Sequence, residues 1–213
     1  MIKELIKMIK LTVLLYIVCS LGYTFLIWGI GKIAFPFQAG GSLVYKNSKP
    51  IGSMLIGEKF TSPYIFNGRP SYAGNGYNGT ESGGSNYAPT NGKYIRHEKK
   101  LINNFLKENP SVKKGEIPVD IVTGSGSGLG PYISIAAAFD QVPRISSLTG
   151  IPKSALYMLV KRNISYRQFG IFGTPGVNTV KLNLKLSLLI KKYNFKLYKL
   201  IFKGFLFKYT INN

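Results

Sequence analysis

The run from Leu11 to Gly31 contains no charged residue, is bounded by Lys10 and Lys32, and has no rival elsewhere in the chain for length and apolar character. As a helix rising roughly 1.5 Å per residue it covers about 31 Å, close to the roughly 30 Å hydrocarbon core of a bilayer. A cleaved signal peptide shares the basic start and apolar middle, but its apolar core runs about 7 to 15 residues and ends at small side chains. Here the last third of the run carries Phe25, Ile27 and Trp28, so it reads as an uncleaved, single-pass anchor. Lys3, Lys7 and Lys10 precede it, whereas Lys32 stands alone in the ten residues after it. Cytoplasmic flanks hold the excess of Lys and Arg, which places the amino terminus inside and everything after Lys32 outside.

The 213 residues, less the anchor, suffice for one exported domain with a modest core. The only cysteine, Cys19, lies within the apolar run, so that domain has no thiol for a disulfide or a thiolate metal site. A formal charge of +20 suits an anionic partner, nucleic acid included, but a domain exported on an anchor is separated from nucleic acid. The basic character concentrates at the end, because no acidic residue follows Asp140.

The fold class expected is α+β: one transmembrane helix, then one mixed helix and strand domain outside the cytoplasm. Five stretches are expected: a cytoplasmic start over 1–10, the membrane helix over 11–31, a linker over 32–41, the domain over 42–186 and a lysine-rich tail over 187–213. Within the domain, Ser42 to Tyr45 and Pro50 to Ile56 read as a β-hairpin joined by Lys46-Asn47-Ser48-Lys49. Thr61 to Pro89 is a long loop rich in Gly, Asn and Ser, and its Tyr64, Phe66, Tyr72, Tyr77 and Tyr87 favour an ordered, packed course. Asn91 to Asn109 has the period of an amphipathic helix stopped by Pro110. Ile117 to Val122 predicts a short strand, Ile133 to Phe139 a helix, Pro152 to about Lys161 a helix, and the alternation of Val177 to Leu186 a final strand.

The glycine turn from Gly124 to Gly130, between an expected strand and an expected helix, has the outline of a phosphate cradle. Its register fails, since it ends in Leu129-Gly130-Pro131 without the lysine of a Walker loop and without the third glycine of a dinucleotide fingerprint. Neither serine has the frame of a nucleophile elbow, so the turn reads as structural. His97, the only histidine, sits in Arg96-His97-Glu98-Lys99-Lys100, and Leu101 stands where a zincin needs a second histidine. An exposed surface histidine is the reading that follows. No catalytic residue, metal ligand set or bound cofactor is expected.

Lys185, Lys192, Lys196, Lys199 and Lys203 recur at helical spacing, the pattern of a basic amphipathic helix on an anionic membrane surface. A low-complexity end with no role has the same composition, and both readings stay open.

Several strings in order resemble the KdpC family, small components of the Kdp potassium-transporting ATPase. They are Gly41-Ser42-Leu43-Val44, Ile56 to Thr61, Gly68-Arg69-Pro70-Ser71, Ser82-Gly83-Gly84-Ser85-Asn86, Pro89-Thr90-Asn91, Pro118 to Thr123, Ser125-Gly126-Ser127-Gly128-Leu129, Ile133-Ser134, Ala136 to Ala138, Gln141-Val142-Pro143-Arg144, Val177-Asn178 and Leu182-Asn183-Leu184. Many short matches in one order are specific where a single one is not. The resemblance covers roughly residues 1 to 186 and implies an accessory, non-catalytic subunit of a pump. In such a pump one partner hydrolyses ATP and a channel-like partner carries K⁺. The resemblance also implies an effect on the pump's ATP affinity, with ATP and K⁺ handled by the complex, and the outward topology makes that effect indirect. Gly130 and Tyr132 stand where the family has Asp and His, and Thr174 stands where it has an acid.

Partner-docking candidates are therefore Gly68, Arg69 and Pro70, then Ser82 to Asn86, then Ser125 to Gly128, and finally Gln141, Pro143 and Arg144. Ser20, Gly22 and Gly29 are candidates for close helix packing in the membrane. A different class of reading is an anchored module that binds cell-wall glycan through the faces of Tyr72 and Tyr77.

Overall fold

The computed structural model describes residues 2–46 and 49–202. The chain forms two compact units, one ending at Leu43 and one beginning at Val44.

In the first unit a single helix runs from Ile2 to Ala34, 33 residues long. At about 1.5 Å per residue it is roughly 50 Å long, so it outruns a hydrocarbon core by several turns. The surplus is at the amino-terminal end, where Glu4 and Lys7 pair at 3.0 Å on an exposed face. None of its most apolar window is buried inside the protein, and by length and composition the helix is able to cross a membrane. Two α-helical parts, α1 (Ile2–Tyr16) and α2 (Tyr23–Ala34), are separated by a π-helical turn over Ile17–Gly22. Ser20 and Gly22 lie on that turn, and a methyl group added at Gly29 would meet nothing within 4 Å. Within the stretch read as a linker over 32–41, α2 continues to Ala34, Phe35 breaks it, and Pro36 opens the one-turn helix α3 (Pro36–Ala39).

The second unit starts with β1 (Leu43–Lys46) and β2 (Lys49–Ser53), which pair as expected, although β2 ends three residues early. The turn residues Asn47 and Ser48 lie outside the described residues. A long irregular stretch leads to α4 (Gly92–Glu108), whose first turn is capped by the Asn91 side chain accepting from the amides of Lys93 and Tyr94. Then come β3 (Tyr132–Ile133), α5 (Ile135–Asp140), α6 (Val142–Thr149), α7 (Lys153–Lys161), β4 (Ile164–Ser165), β5 (Gly176–Asn178), α8 (Thr179–Tyr193) and α9 (Phe195–Phe202). β5 is the middle strand of a three-stranded antiparallel sheet, with Val177 opposite both Ile133 and Ile164. Around this sheet α5 to α8 enclose a core that includes Ile133, Val142, Ile145, Leu156, Val160, Val177, Leu182, Leu186 and Ile190.

Two sequence expectations fail here. Ile117 to Val122 forms no strand; Pro118 opens a 3₁₀ turn over Val119–Ile121, because Ile121 and Val122 reach the core from one turn while Val119 stays exposed. Val177 to Leu186 is a strand only as far as Asn178, whose side chain accepts from the Lys181 amide and starts a helix. The alternation misleads because α8 is buried on most of its circumference. Val180, Leu182, Asn183, Leu184, Leu186, Ser187 and Ile190 point inward, leaving Lys181, Lys185, Leu188 and Lys192 as a narrow exposed stripe at helical spacing.

The lysine stripe expected of one terminal helix is divided by Asn194. Lys185 and Lys192 lie on α8, Lys196 and Lys199 on α9, and Lys203 is outside the described residues. Tyr198 is 7 % exposed within the core cluster, with Leu197 and Ile201 packed against it, so α9 is held by the fold.

The helical register of α8 is testable in the full chain in detergent micelles by chemical unfolding. Leu186→Ala should cost about 2–5 kcal/mol and Leu188→Ala no more than about 0.5 kcal/mol. A strand would bury both, and comparable losses would refute the helix.

Candidate functional site

The loop-rich face is assembled from three stretches far apart in sequence: residues 57 to 86, the glycine turn from Gly124 to Gly130, and the residues on α5, α6 and α8 that hold the first stretch down. Gln141, on the α5–α6 junction, is fully buried. Its Oε1 accepts from the Asn67 amide at 2.7 Å and its Nε2 donates to the Asn67 carbonyl at 3.2 Å. Asn183 on α8 does the same one residue earlier, accepting from the Phe66 amide at 2.9 Å and donating to the Phe66 carbonyl at 2.8 Å. Two buried side-chain amides thus take the place of a neighbouring strand for consecutive loop residues, as buried backbone groups require.

Arg144, 6 % exposed, completes this clamp. Its guanidinium donates to the Pro63 carbonyl, to the Ile65 carbonyl at 3.1 Å, to Asn109 Oδ1 at 3.1 Å and to Gln141 Oε1 at 2.8 Å. Burial pushes its pKa down to about 10, and the carboxylate of Glu108 acts in the opposite direction. A buried cation is tolerated because its fork of N–H donors meets oxygen on several sides.

The glycine turn is tied to the long loop by close backbone contact. The Gly83 amide and the Ser82 hydroxyl donate to the Ser127 carbonyl, at 2.9 Å and 3.0 Å. The Gly57 amide donates to the Leu129 carbonyl at 2.9 Å, and the Ser71 hydroxyl to the Gly128 carbonyl. Within the turn, Ser125 Oγ accepts from the Gly130 amide and Ser127 Oγ from the Leu129 amide. The helix that follows has only six residues; the Ser134 side chain caps it, and Asp120 accepts from the Ser134 amide at 2.6 Å. A carboxylate therefore stands where a phosphate cradle would receive its anion, and the geometry is that of a structural turn.

Arg69 donates to the carbonyls of Thr123 and Gly124 at 3.2 Å and 2.9 Å, and its own carbonyl accepts the Tyr77 hydroxyl at 2.8 Å. Tyr77 braces the loop from within, its ring lying where a side chain at Gly57 would be. Burial pushes its hydroxyl up to about 12 despite the opposing charge of Arg69. Tyr72 is also pushed up to about 12, by burial first and then by its 3.1 Å hydrogen bond to Glu98. The Tyr72 ring lies 5.7 Å from that of His97, which is exposed as expected. A cleft of about 360 Å³ runs along this face beside α4, with Arg69, Tyr77, Phe105 and Glu108 among its walls. Among the described residues no group of three His, Cys, Asp or Glu side chains comes together.

The structure therefore gathers most of the candidates into one region but in two depths. Ser82, Asn86, Gly126 and Ser127 are exposed on its surface, while Gly68, Arg69, Pro70, Gly83, Gly84 and Ser85 are half-buried within it. Gln141 and Arg144 lie beneath, occupied with the chain's own backbone, and Pro143 occupies the first turn of α6. Asn183 and Asn109 are parts of the clamp that sequence reading misses. Asn183 falls in an expected strand, although its polar side chain between Leu182 and Leu184 is a visible signal.

These features define a class: a small α+β domain carried on one apolar helix, with a loop face ordered by side chain to backbone clamps. Comparison with known proteins gives the family. The family model described as the c chain of the K⁺-transporting ATPase matches residues 5–187. The potassium-transporting ATPase KdpC subunit of Caldanaerobacter subterraneus is 48 % identical over 90 % of this chain and 98 % of its own. That of Clostridium kluyveri is 41 % identical over 91 % and 98 %, and that of Bacillus cereus 43 % identical over 86 % and 94 %. The chain belongs to the KdpC family.

Two glycines of the turn separate packing from mere flexibility. A methyl group at Gly128, where φ is +67°, would lie 2.5 Å from the Gly83 carbonyl and 2.7 Å from the Ala73 amide, whereas one at Gly126 meets nothing within 4 Å. Gly128→Ala should lower stability by about 2 kcal/mol or more and Gly126→Ala by under about 0.5 kcal/mol. Equal effects in chemical unfolding would contradict the packed turn.

Proposed function

We propose that the chain is an accessory, non-catalytic subunit of an ATP-driven K⁺ uptake pump, stabilising assembly and raising the ATP affinity of the ATP-hydrolysing subunit. The observation that carries this reading is the family match over residues 5–187, which takes in the apolar helix and nearly all of the α+β domain. Its partners are an ATP-hydrolysing subunit, a K⁺-channel-like subunit and the lipid bilayer. The helix from Ile2 to Ala34 holds it in the cell membrane, where Ser20, Gly22 and Gly29 allow a neighbouring helix to approach closely.

The charge asymmetry across the helix supports a cytoplasmic amino terminus and a domain outside the cell. In that topology the domain meets no ATP. Its influence on ATP affinity is a coupling free energy transmitted through the assembly, which requires only that ATP binding and contact between the partners favour the same state. Ser82, Asn86, Gly126 and Ser127 are exposed to meet a partner, while the clamp beneath fixes their positions in advance. A glycan-binding role is less well supported, since the Tyr72 ring packs against Gly124 and the Tyr77 ring against Gly57 and Gly68.

Co-expression of the chain with both partners, followed by purification through a tag on the ATP-hydrolysing subunit, tests the proposal. The chain should be recovered in a fixed ratio, and a complex made without it should show a higher KM for ATP. Recovery of the chain only as a free monomer, with the ATP KM unchanged by its omission, would refute the assignment.

A further inference from the structure

Between β4 and β5 the chain leaves the sheet and returns through a tight hairpin. The Gln168 amide donates to the Phe172 carbonyl at 2.8 Å, and the amides of Ile171 and Phe172 donate to the Gln168 carbonyl at 3.1 Å and 3.0 Å. This ordered turn presents Tyr166, Phe169, Ile171 and Phe172 to solvent, exposed by 72, 92, 71 and 64 %. Phe169 has φ +53°, a left-handed conformation that a bulky side chain rarely adopts. The folded chain thus holds a large ring outward on a strained backbone, an arrangement that gains nothing from the protein's own core. Contiguous exposed apolar side chains on a fixed frame are a mark of an interaction surface.

The charges around the hairpin indicate what it meets. Arg167 is on the hairpin, Lys161 and Arg162 come just before it, all three are exposed, and no acidic residue follows Asp140 anywhere in the sequence. An apolar tip that carries Arg167 in an acid-free, basic part of the sequence fits an apolar pocket with a carboxylate rim. A fluid lipid surface has no shape to match and would accept a relaxed loop equally well, whereas a shaped protein pocket rewards a turn held in one geometry. Carboxylates collect at the mouth of a cation pathway because they raise the local cation concentration.

We propose that the hairpin from Tyr166 to Phe172 is the docking element of this domain, seating Phe169 and Phe172 in a carboxylate-rimmed apolar pocket on the outer face of the K⁺-channel-like subunit. The inference rests on the accessory-subunit reading given above and adds to it a surface and a partner. The exposed serines of the loop face then make a second, polar contact, and the aromatic pair carries most of the affinity, as central aromatic anchors do.

The test uses the whole complex, with a photo-reactive benzoylphenylalanine in place of Phe169 and irradiation after purification through the ATP-hydrolysing subunit. The cross-link should join the chain to the K⁺-channel-like subunit. The pair Phe169→Ser and Phe172→Ser should reduce the recovered chain about tenfold or more, and Arg167→Glu should make recovery fall further as salt is lowered. Cross-links to lipid alone or to another subunit, or none at all from a chain that still co-purifies, would overturn this inference and leave the accessory-subunit assignment standing. A wild-type chain that does not co-purify overturns both.

Discussion

The fold of the domain depends on a buried cation and two buried amides that act on backbone. Arg144, Gln141 and Asn183 together bond to residues 63, 65, 66 and 67, the point where the long loop passes over the core. Ordering each residue of such a loop costs about 1–2 kcal/mol in conformational entropy, and a net hydrogen bond returns only about 1 kcal/mol. The loop is ordered because its hydrogen bonds come with burial: Ile65 and Phe66 are 1 % and 0 % exposed. The apolar side chains draw the segment into the core, and the amides and guanidinium satisfy the backbone that must enter with them.

This arrangement links the elements that the sequence separates most widely. Gln141 and Arg144 lie at the start of α6, Asn183 lies on α8, and the segment they hold leads directly to Arg69, which fixes the glycine turn through the carbonyls of Thr123 and Gly124. Tyr77 then returns to the Arg69 carbonyl from inside the loop. The surface formed by Ser82, Asn86 and Ser127 is therefore ordered by contacts that lie beneath it.

Sequence reading recovers what is local. The long apolar helix, the α4 helix with its Asn91 cap, the first hairpin and the helix after Pro152 follow from uninterrupted apolarity, period and capping chemistry. It fails where tertiary burial overrides pattern. In α8 apolar residues nearly surround the helix, so inward and outward positions give a false alternation. In Ile117 to Val122 a β-branched run serves as a one-turn feeder of two side chains into the core. The site is half legible: its glycine and serine strings stand out, but the residues that hold them act through contacts between distant positions, 74 apart for Gln141 and 117 apart for Asn183. The exposed aromatic hairpin carries no periodic signal and emerges only from the geometry of its turn.

The chain presents two features, an apolar helix and a clamped loop face. The helix sets where the domain resides, and the clamp sets what it presents there. Hydrogen exchange of the Phe66 and Asn67 amides in the full chain tests the clamp most directly. Both amides should exchange only through opening of the whole domain, with protection equal to that of the α8 core. Exchange as fast as at the exposed loop tip around Gly79 and Thr80 would show that the loop is not held, and the account would fail.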